Sequence, residues 1–278
     1  MKKTFKQSLN IWKDFLKEQS SDQKKIFKNE ISRKIYNDLT LKGFSKINVN
    51  ELFLNKNQGS EELNKFYNII LNNFEKFYEE VYKKNLIDNS NSRKADYQYR
   101  AVGTKYYEKF ESDFKSITNI SIIKEVIDNF LGQNFFQFQS DYWITVKNRK
   151  NNLRQASQRW HSDPEFHKIL KIFIYLDDVE FENGPTEYIP ESFLAPSLKQ
   201  FILRLYNFPH ISSYYPEWLV NLLYFKKERF ISKGRKGDIF FYNTTGLHRG
   251  GYVENGERKL TIFSFTNVNS PYLKESYI

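Results

Sequence analysis

The sequence predicts a mainly β protein, a sandwich or barrel-like double sheet with helices packed outside it. Three observations carry this. Segments dense in aromatic and β-branched residues recur after residue 132, turn-forming pieces separate them, and helical spacing dominates the part before.

Taken in order, residues 8–18 and 22–37 carry Lys, Glu and Leu with apolar positions near helical spacing and read as helices. Gly43 makes a turn into a short alternating strand over 44–49. Ser60 is a candidate N-cap, with Glu61 and Glu62 in the first turn. Behind it Leu63, Phe66, Tyr67, Ile70, Phe74, Phe77 and Val81 recur at three- and four-residue steps. A further helix spans 121–131 and stops at Gly132. Strands follow at 135–146 (FFQFQSDYWITV), 169–176 (ILKIFIYL), 237–242 (GDIFFY) and 260–265 (LTIFSF). Residues of about 192–231, with Leu198, Phe201, Ile202, Leu205, Trp218, Leu219 and Leu222, read as a helical insertion between strands. Residues 1–278 are expected to form a single domain, the mostly helical 1–132 packing on a core at 133–268.

Composition narrows the chemistry. There is no cysteine, which excludes disulfides, thiolate zinc sites, iron–sulfur clusters and a cysteine nucleophile. Any metal must be held by His, Asp, Glu or Tyr, and the chain has only 4 His. No run of roughly 18 apolar residues marks a membrane span. The basic N-terminus leads into no apolar stretch of the signal-peptide kind, so a cytoplasmic protein is expected. The net charge of +10 is spread along the chain without a block of five like charges. It does not by itself mark a nucleic-acid surface, and an anionic small substrate suits it equally well.

The stretch that carries chemistry is Gln158-Arg159-Trp160-His161-Ser162-Asp163-Pro164. On an extended strand His161 and Asp163 project from the same face and could reach one ion. His-x-Asp alone is common by chance and mostly lies at surfaces. A third ligand must come from elsewhere, and His248, just after the strand ending near Tyr242, is the candidate. Two imidazoles and a carboxylate leave open positions on an octahedral ion, as non-haem iron oxygenases need for a 2-oxo acid and dioxygen. Arg258 opens the apolar strand at 260–265, and a buried guanidinium there needs an anion such as the distal carboxylate of 2-oxoglutarate. Arg249 competes, but its side chain should diverge from that of His248. Lys171 and Tyr175 share one parity of their strand and could contact the cosubstrate, although a solvated lysine is as good a reading. His167 reads as a surface or turn histidine, His210 as a loop residue and Trp160 as packing. Gly246–Gly251 reads as a turn rather than a phosphate loop.

Two runs, WHSDPEFHKILKIFIYLDDVEFENGPTEYIPESF and KGDIFFYNTTGLHRGGYVENGERKLTIFSF, resemble the core of the phytanoyl-CoA dioxygenase family over roughly residues 130–268. The resemblance implies a double-stranded β-helix (jelly-roll, cupin-like) fold, with His161, Asp163 and His248 binding Fe(II) and Arg258 anchoring 2-oxoglutarate. It also implies that Asn183-Gly184-Pro185-Thr186 turns into the next core strand. It departs at Pro190-Glu191-Ser192-Phe193, where the family often has Pro-Gly-Ser-His. Halogenating relatives replace the carboxylate ligand with a small residue, so Asp163 points to hydroxylation or a related oxidation of a small molecule rather than halogenation, using dioxygen and releasing succinate and CO2. The rivals are a non-catalytic jelly-roll binding protein, a basic nucleic-acid-binding protein, and a 2-oxoglutarate-independent iron or manganese enzyme, against which Arg258 argues.

Overall fold

Side chains with no polar alternation, as in Ile239-Phe240-Phe241-Tyr242, demand a strand covered on both faces, and the fold supplies that cover. The structure, a computed structural model, describes residues 25–54, 58–83, 97–102, 104, 107–148, 153–163, 168–193, 198–207, 214–224 and 229–267. The helix expected at 8–18, His167 and His210 lie outside the described residues.

The helices come first. α1 (Glu30–Leu41) begins where the Asn29 side chain accepts from the Ile31 amide at 2.8 Å, later than the expected helix at 22–37. After β1 (Phe44–Asn48) come α2 (Val49–Leu54) and α3 (Gln58–Phe77), so Ser60 sits inside a helix rather than capping it. α3 runs into a π-helical turn, Tyr78–Tyr82, whose two end tyrosines donate to Glu257 at 3.0 and 2.5 Å. β2 (Gln98–Arg100), α4 (Tyr107–Lys115) and α5 (Ser121–Leu131) complete this part. α5 stops at Gly132, as expected, with φ at 93°.

The remaining strands alternate between two sheets. β3 (Phe135–Val146), β5 (Ile169–Tyr175), β9 (Asp238–Asn243) and β11 (Glu257–Asn267) join β1 and β2 in a six-stranded sheet of order β1-β9-β5-β11-β3-β2. β4 (Trp160–His161), β6 (Glu187–Tyr188), β7 (Tyr214–Tyr215), β8 (Phe230–Ile231) and β10 (His248–Arg249) form a second sheet, β7-β4-β10-β6-β8. All named pairings are antiparallel, and the chain passes repeatedly from one sheet to the other. This is the double-stranded β-helix that the resemblance implies.

The outer face of the main sheet, with Ile172, Ile174, Phe241 and Phe263, shares one apolar core with Ile35, Phe66, Phe114 and Val126 of the helices. Each such side chain contributes roughly 1.5–3 kcal/mol by leaving water. The inner face, with Phe173, Tyr175, Phe240, Tyr242, Leu260 and Ile262, packs with Tyr188 and Val179 between the sheets. The insertion is less helical than expected. α6 (Leu198–Asn207) and α7 (Glu217–Leu223) are present, but β7 and β8 within it add a strand to each edge of the second sheet. Among the described residues no helix is long and apolar enough to cross a membrane.

Candidate metal centre

β4 and β10 are two residues long, and their register is the site. His248 pairs directly with His161, which also pairs with Tyr214 of β7. Pairing puts both imidazoles on the inner face, with ring centroids 4.2 Å apart. Trp160 and Arg249, their strand neighbours, take the opposite face. The strand ends at His161, so Asp163 does not reach the site from strand pairing as expected. It lies in the following loop, fixed by its amide donating to the Thr244 carbonyl at 2.9 Å. Candidate ligand atoms of His161, Asp163 and His248 all lie within 4.8 Å of one another.

Orientation and protonation both favour metal binding. The Nδ1 of His161 donates to the Arg159 carbonyl at 2.8 Å, and that of His248 to the Gly246 carbonyl at 3.0 Å. A carbonyl can only accept, so each ring carries its proton on Nδ1 and presents a bare Nε2. Burial lowers the basicity of His161 against the pull of Asp163. Burial and the neighbouring His161 hold His248 at about 3. Burial also pushes the Asp163 carboxyl up, but Lys171, His248 and His161 together outweigh it and keep it well below the usual carboxylate range. Two neutral imidazoles and a carboxylate are the protonation states a divalent ion requires.

Arg258 is the second feature of the pocket. It is 4 % exposed, and among the described residues no carboxylate faces it. One Nη donates to the Gly184 carbonyl, the other lies 3.5 Å from Thr145 Oγ1, and Nε has no partner. Burial lowers its affinity for a proton, opposed only by Tyr175, Tyr97 and Tyr242. An unpaired buried guanidinium is costly and fits a site awaiting an oxyanion. The turn that brings Gly184 here needs glycine: its φ is 67°, and an added Cβ would stand 2.7 Å from the Tyr252 backbone.

The structure does not treat the other candidates alike. Lys171 reaches the site, but its Nζ sits 2.7 Å from Asp163 Oδ2, committed to that carboxylate. The Tyr175 hydroxyl donates to the Ser232 carbonyl at 2.8 Å while its ring lies in the field of Arg258. Arg249 diverges from His248 as expected. Nε and Nη2 each meet Glu187 at 2.8 Å, and Nη1 meets Glu217. The Gly246–Gly251 run is more than a turn, since β10 lies inside it.

Sequence reasoning missed Thr145, Tyr97 and Tyr242. Tyr97 donates its hydroxyl to the Gln155 carbonyl at 3.2 Å. The Tyr242 hydroxyl lies beside Ser232 without a well-formed hydrogen bond. For Thr145 and Tyr242 strand parity was the available signal: Thr145 is paired with Arg258, and Tyr242 with Lys171.

Solved structures share the fold. A non-heme alpha ketoglutarate dependent carbocyclase, SnoK from nogalamycin biosynthesis, aligns with TM-score 0.53 and 15% identity, covering 87% of this chain and 89% of its own. The epimerase SnoN, in complex with Fe3+, alpha ketoglutarate and nogalamycin RO, aligns with TM-score 0.52 and 12% identity over 85% and 83%. EctD from S. alaskensis, with 2-oxoglutarate and 5-hydroxyectoine, aligns with TM-score 0.52 and 11% identity over 90% and 79%. A search of curated proteins by sequence finds no match. The phytanoyl-CoA dioxygenase (PhyH) family model matches residues 61–259, more than half of the sequence, and the chain belongs to that family.

Proposed function

We propose that this chain is an Fe(II)- and 2-oxoglutarate-dependent dioxygenase that hydroxylates a small molecule. The observation that carries the reading is the pairing of two features between the sheets: three candidate ligand atoms within 4.8 Å, and a buried guanidinium that faces no carboxylate among the described residues. A metal site alone would fit many hydrolases; the orphaned cation beside it calls for a dicarboxylate. The structure of SnoN holds alpha ketoglutarate and that of EctD holds 2-oxoglutarate.

His161 Nε2, His248 Nε2 and the Asp163 carboxylate would hold the iron, leaving one side of it open. Arg258 would take the distal carboxylate of 2-oxoglutarate, with Thr145 Oγ1 and the Tyr242 hydroxyl as further polar atoms near the guanidinium. Iron, 2-oxoglutarate and dioxygen together supply the oxidation, releasing succinate and CO2. The chain keeps water away from it: Phe173, Phe240, Tyr242, Leu260 and Ile262 make the inner wall apolar. Lys171 is a positioning residue that holds Asp163 from the main sheet. Tyr175 holds Ser232 and so shapes the Arg258 end of the pocket.

The test is anaerobic addition of Fe(II) and 2-oxoglutarate, reading the visible metal-to-ligand charge-transfer band. Wild type should develop the band, and the His161→Ala/Asp163→Ala double variant should lack it. No band in wild type, or its survival in the variant, would sink the reading. A second outcome, epimerisation or ring closure, is favoured by SnoN, an epimerase, and SnoK, a carbocyclase. Labelled dioxygen separates the two: succinate takes one oxygen atom in either case, and only hydroxylation leaves the other in the product formed from the substrate.

A further inference from the structure

The arginines of the inner cavity and its surroundings are used differently, and one has spare capacity. Arg249 spends all three guanidinium nitrogens on Glu187 and Glu217. Arg100, on β2, spends only Nε, which donates to Asp141 Oδ2 at 2.6 Å; among the described residues neither Nη has a partner. Its side chain is 30 % exposed, so it opens to solvent at one end.

Its direction follows from register. Arg100 pairs with Trp143, Trp143 with Leu260, and Leu260 with Tyr175. Directly paired residues share a face, and Tyr175 shares the face of Lys171, which touches Asp163. Arg100 therefore stands on the side of the main sheet that carries the metal centre, at its β2 edge. Arg258 is two paired rows away, on the next row of the same face, opposite Thr145 and Gln98.

The group is also built in place. Its guanidinium carbon lies 5.4 Å from the Trp143 ring centroid. The Asp141 carboxylate that fixes it is fully buried and also accepts from the Val102 amide at 2.9 Å and from Trp143 Nε1 at 3.1 Å. Burying that carboxylate is costly, and its donors leave the arginine with little rotamer freedom. Holding Nε this way presents the Nη1–Nη2 edge, the fork that binds an oxyanion in two parallel hydrogen bonds. The +10 net charge favours approach of anions to the whole molecule.

We propose that Arg100 is the substrate anchor, binding a carboxylate or phosphate group of the small molecule whose other end reaches the metal. This rests on the oxygenase reading above and adds to it the substrate class, an anionic small molecule. Arg258 serves the cosubstrate; Arg100 serves the substrate.

The experiment uses the full chain loaded with Co(II) and saturated with 2-oxoglutarate. The paramagnetic relaxation of added inorganic phosphate (phosphorus NMR) and of added acetate (carbon NMR) is measured during titration. Wild type should show saturable relaxation of at least one anion, and which one identifies the group. Arg100→Gln should weaken that binding about tenfold or more, with 2-oxoglutarate affinity unchanged. Because Arg100→Gln leaves Asp141 buried without its cation, the double variant Arg100→Gln/Asp141→Asn is measured beside it and should show the same loss. The proposal is overturned if neither anion saturates, if both variants bind as wild type does, or if excess 2-oxoglutarate displaces the probe, which would place it at Arg258. The Fe(II) charge-transfer band is recorded in parallel. Its absence in wild type sinks the oxygenase reading and the anchor together, whereas a normal band with unaltered anion binding in the variants sinks the anchor alone.

Discussion

The two sheets are held together by different forces. The main sheet has strands of up to 12 residues, in β3, and an outer face sealed by helices. The second sheet has five strands of two residues each, too short to be stabilised by their own ladder. Its back is braced instead by a charged stack. The guanidinium carbons of Arg249 and Arg229 lie 4.4 and 4.9 Å from the Trp160 centroid, and Glu217 of α7 accepts from Trp160 Nε1 at 3.0 Å. Rigidity and chemistry are divided between the two sheets. Apolar burial makes the frame, while a polar brace ties the strands of His161 and His248 to the insertion. The frame reaches across through Tyr188, whose hydroxyl donates to the Asn243 carbonyl at 2.8 Å, and through Lys171, which meets Asp163.

Breaking the frame should cost the most. Phe263 is fully buried between the main sheet and the helices, against Phe66 and Phe114. Phe263→Ala should lower unfolding free energy by about 3–5 kcal/mol. Urea melts should show a lower midpoint, and a loss under 1 kcal/mol would mean that the frame is less tightly packed than this.

Breaking the brace should cost somewhat less stability and more metal. Arg249 is 5 % exposed, and Arg249→Met leaves Glu187 without its bidentate partner, costing roughly 3 kcal/mol. Since His248 is the neighbouring residue on β10, Co(II) affinity should fall about tenfold or more in the same variant. If stability drops and Co(II) affinity holds, the stack is not a support for the ligands.

These contrasts also explain what the sequence made legible. The long strands announce themselves because alternation and β-branching need several residues to be seen, and 135–146 and 169–176 met that need. Two residues carry no period, so β4, β6, β7, β8 and β10 are set by pairing alone; only the order of motifs pointed to His161, Asp163 and His248. The Lys171–Asp163 ion pair and the Arg229–Trp160–Arg249 stack were illegible because each joins residues that only the fold brings together. The insertion misled for a related reason: its apolar residues are spaced like helices, while Tyr214–Tyr215 and Phe230–Ile231 are strands by virtue of their neighbours.

Acid should expose the cost of the ligand cluster. The His248 ring titrates at about 3 in the fold because of burial and His161, below its ordinary 6.5, and His161 is lowered too. The unfolded chain therefore binds more protons in this window, so their contribution is complete above about pH 6.5 and is lost as the pH falls towards the folded values. The slope should approach about 1.4 kcal/mol per unit for each such ring. Asp163, also lowered, adds to this only below about pH 4. For metal-stripped protein, melting temperature should fall between pH 7 and 5, and His248→Asn should flatten the curve; an unchanged slope in that variant would assign the acid sensitivity elsewhere.

The smallest effect is expected where the segment after β6 passes between β1 and the second sheet. Glu191 has φ of 62°, and its amide donates to the Lys42 carbonyl at 3.1 Å beside β1. Its neighbour Ser192 accepts from the Leu247 amide at 2.7 Å, next to His248 on the second sheet. A left-handed conformation costs a side-chain-bearing residue about 1–2 kcal/mol. This is the position where the resemblance in sequence places glycine, so the chain keeps the turn and carries the strain. Glu191→Gly removes the strain but frees the unfolded chain, for a net gain of roughly 0.5–1 kcal/mol. A stabilised midpoint with unchanged Co(II) affinity is expected. A destabilised variant would show that the Glu191 side chain does more for this junction than its backbone costs.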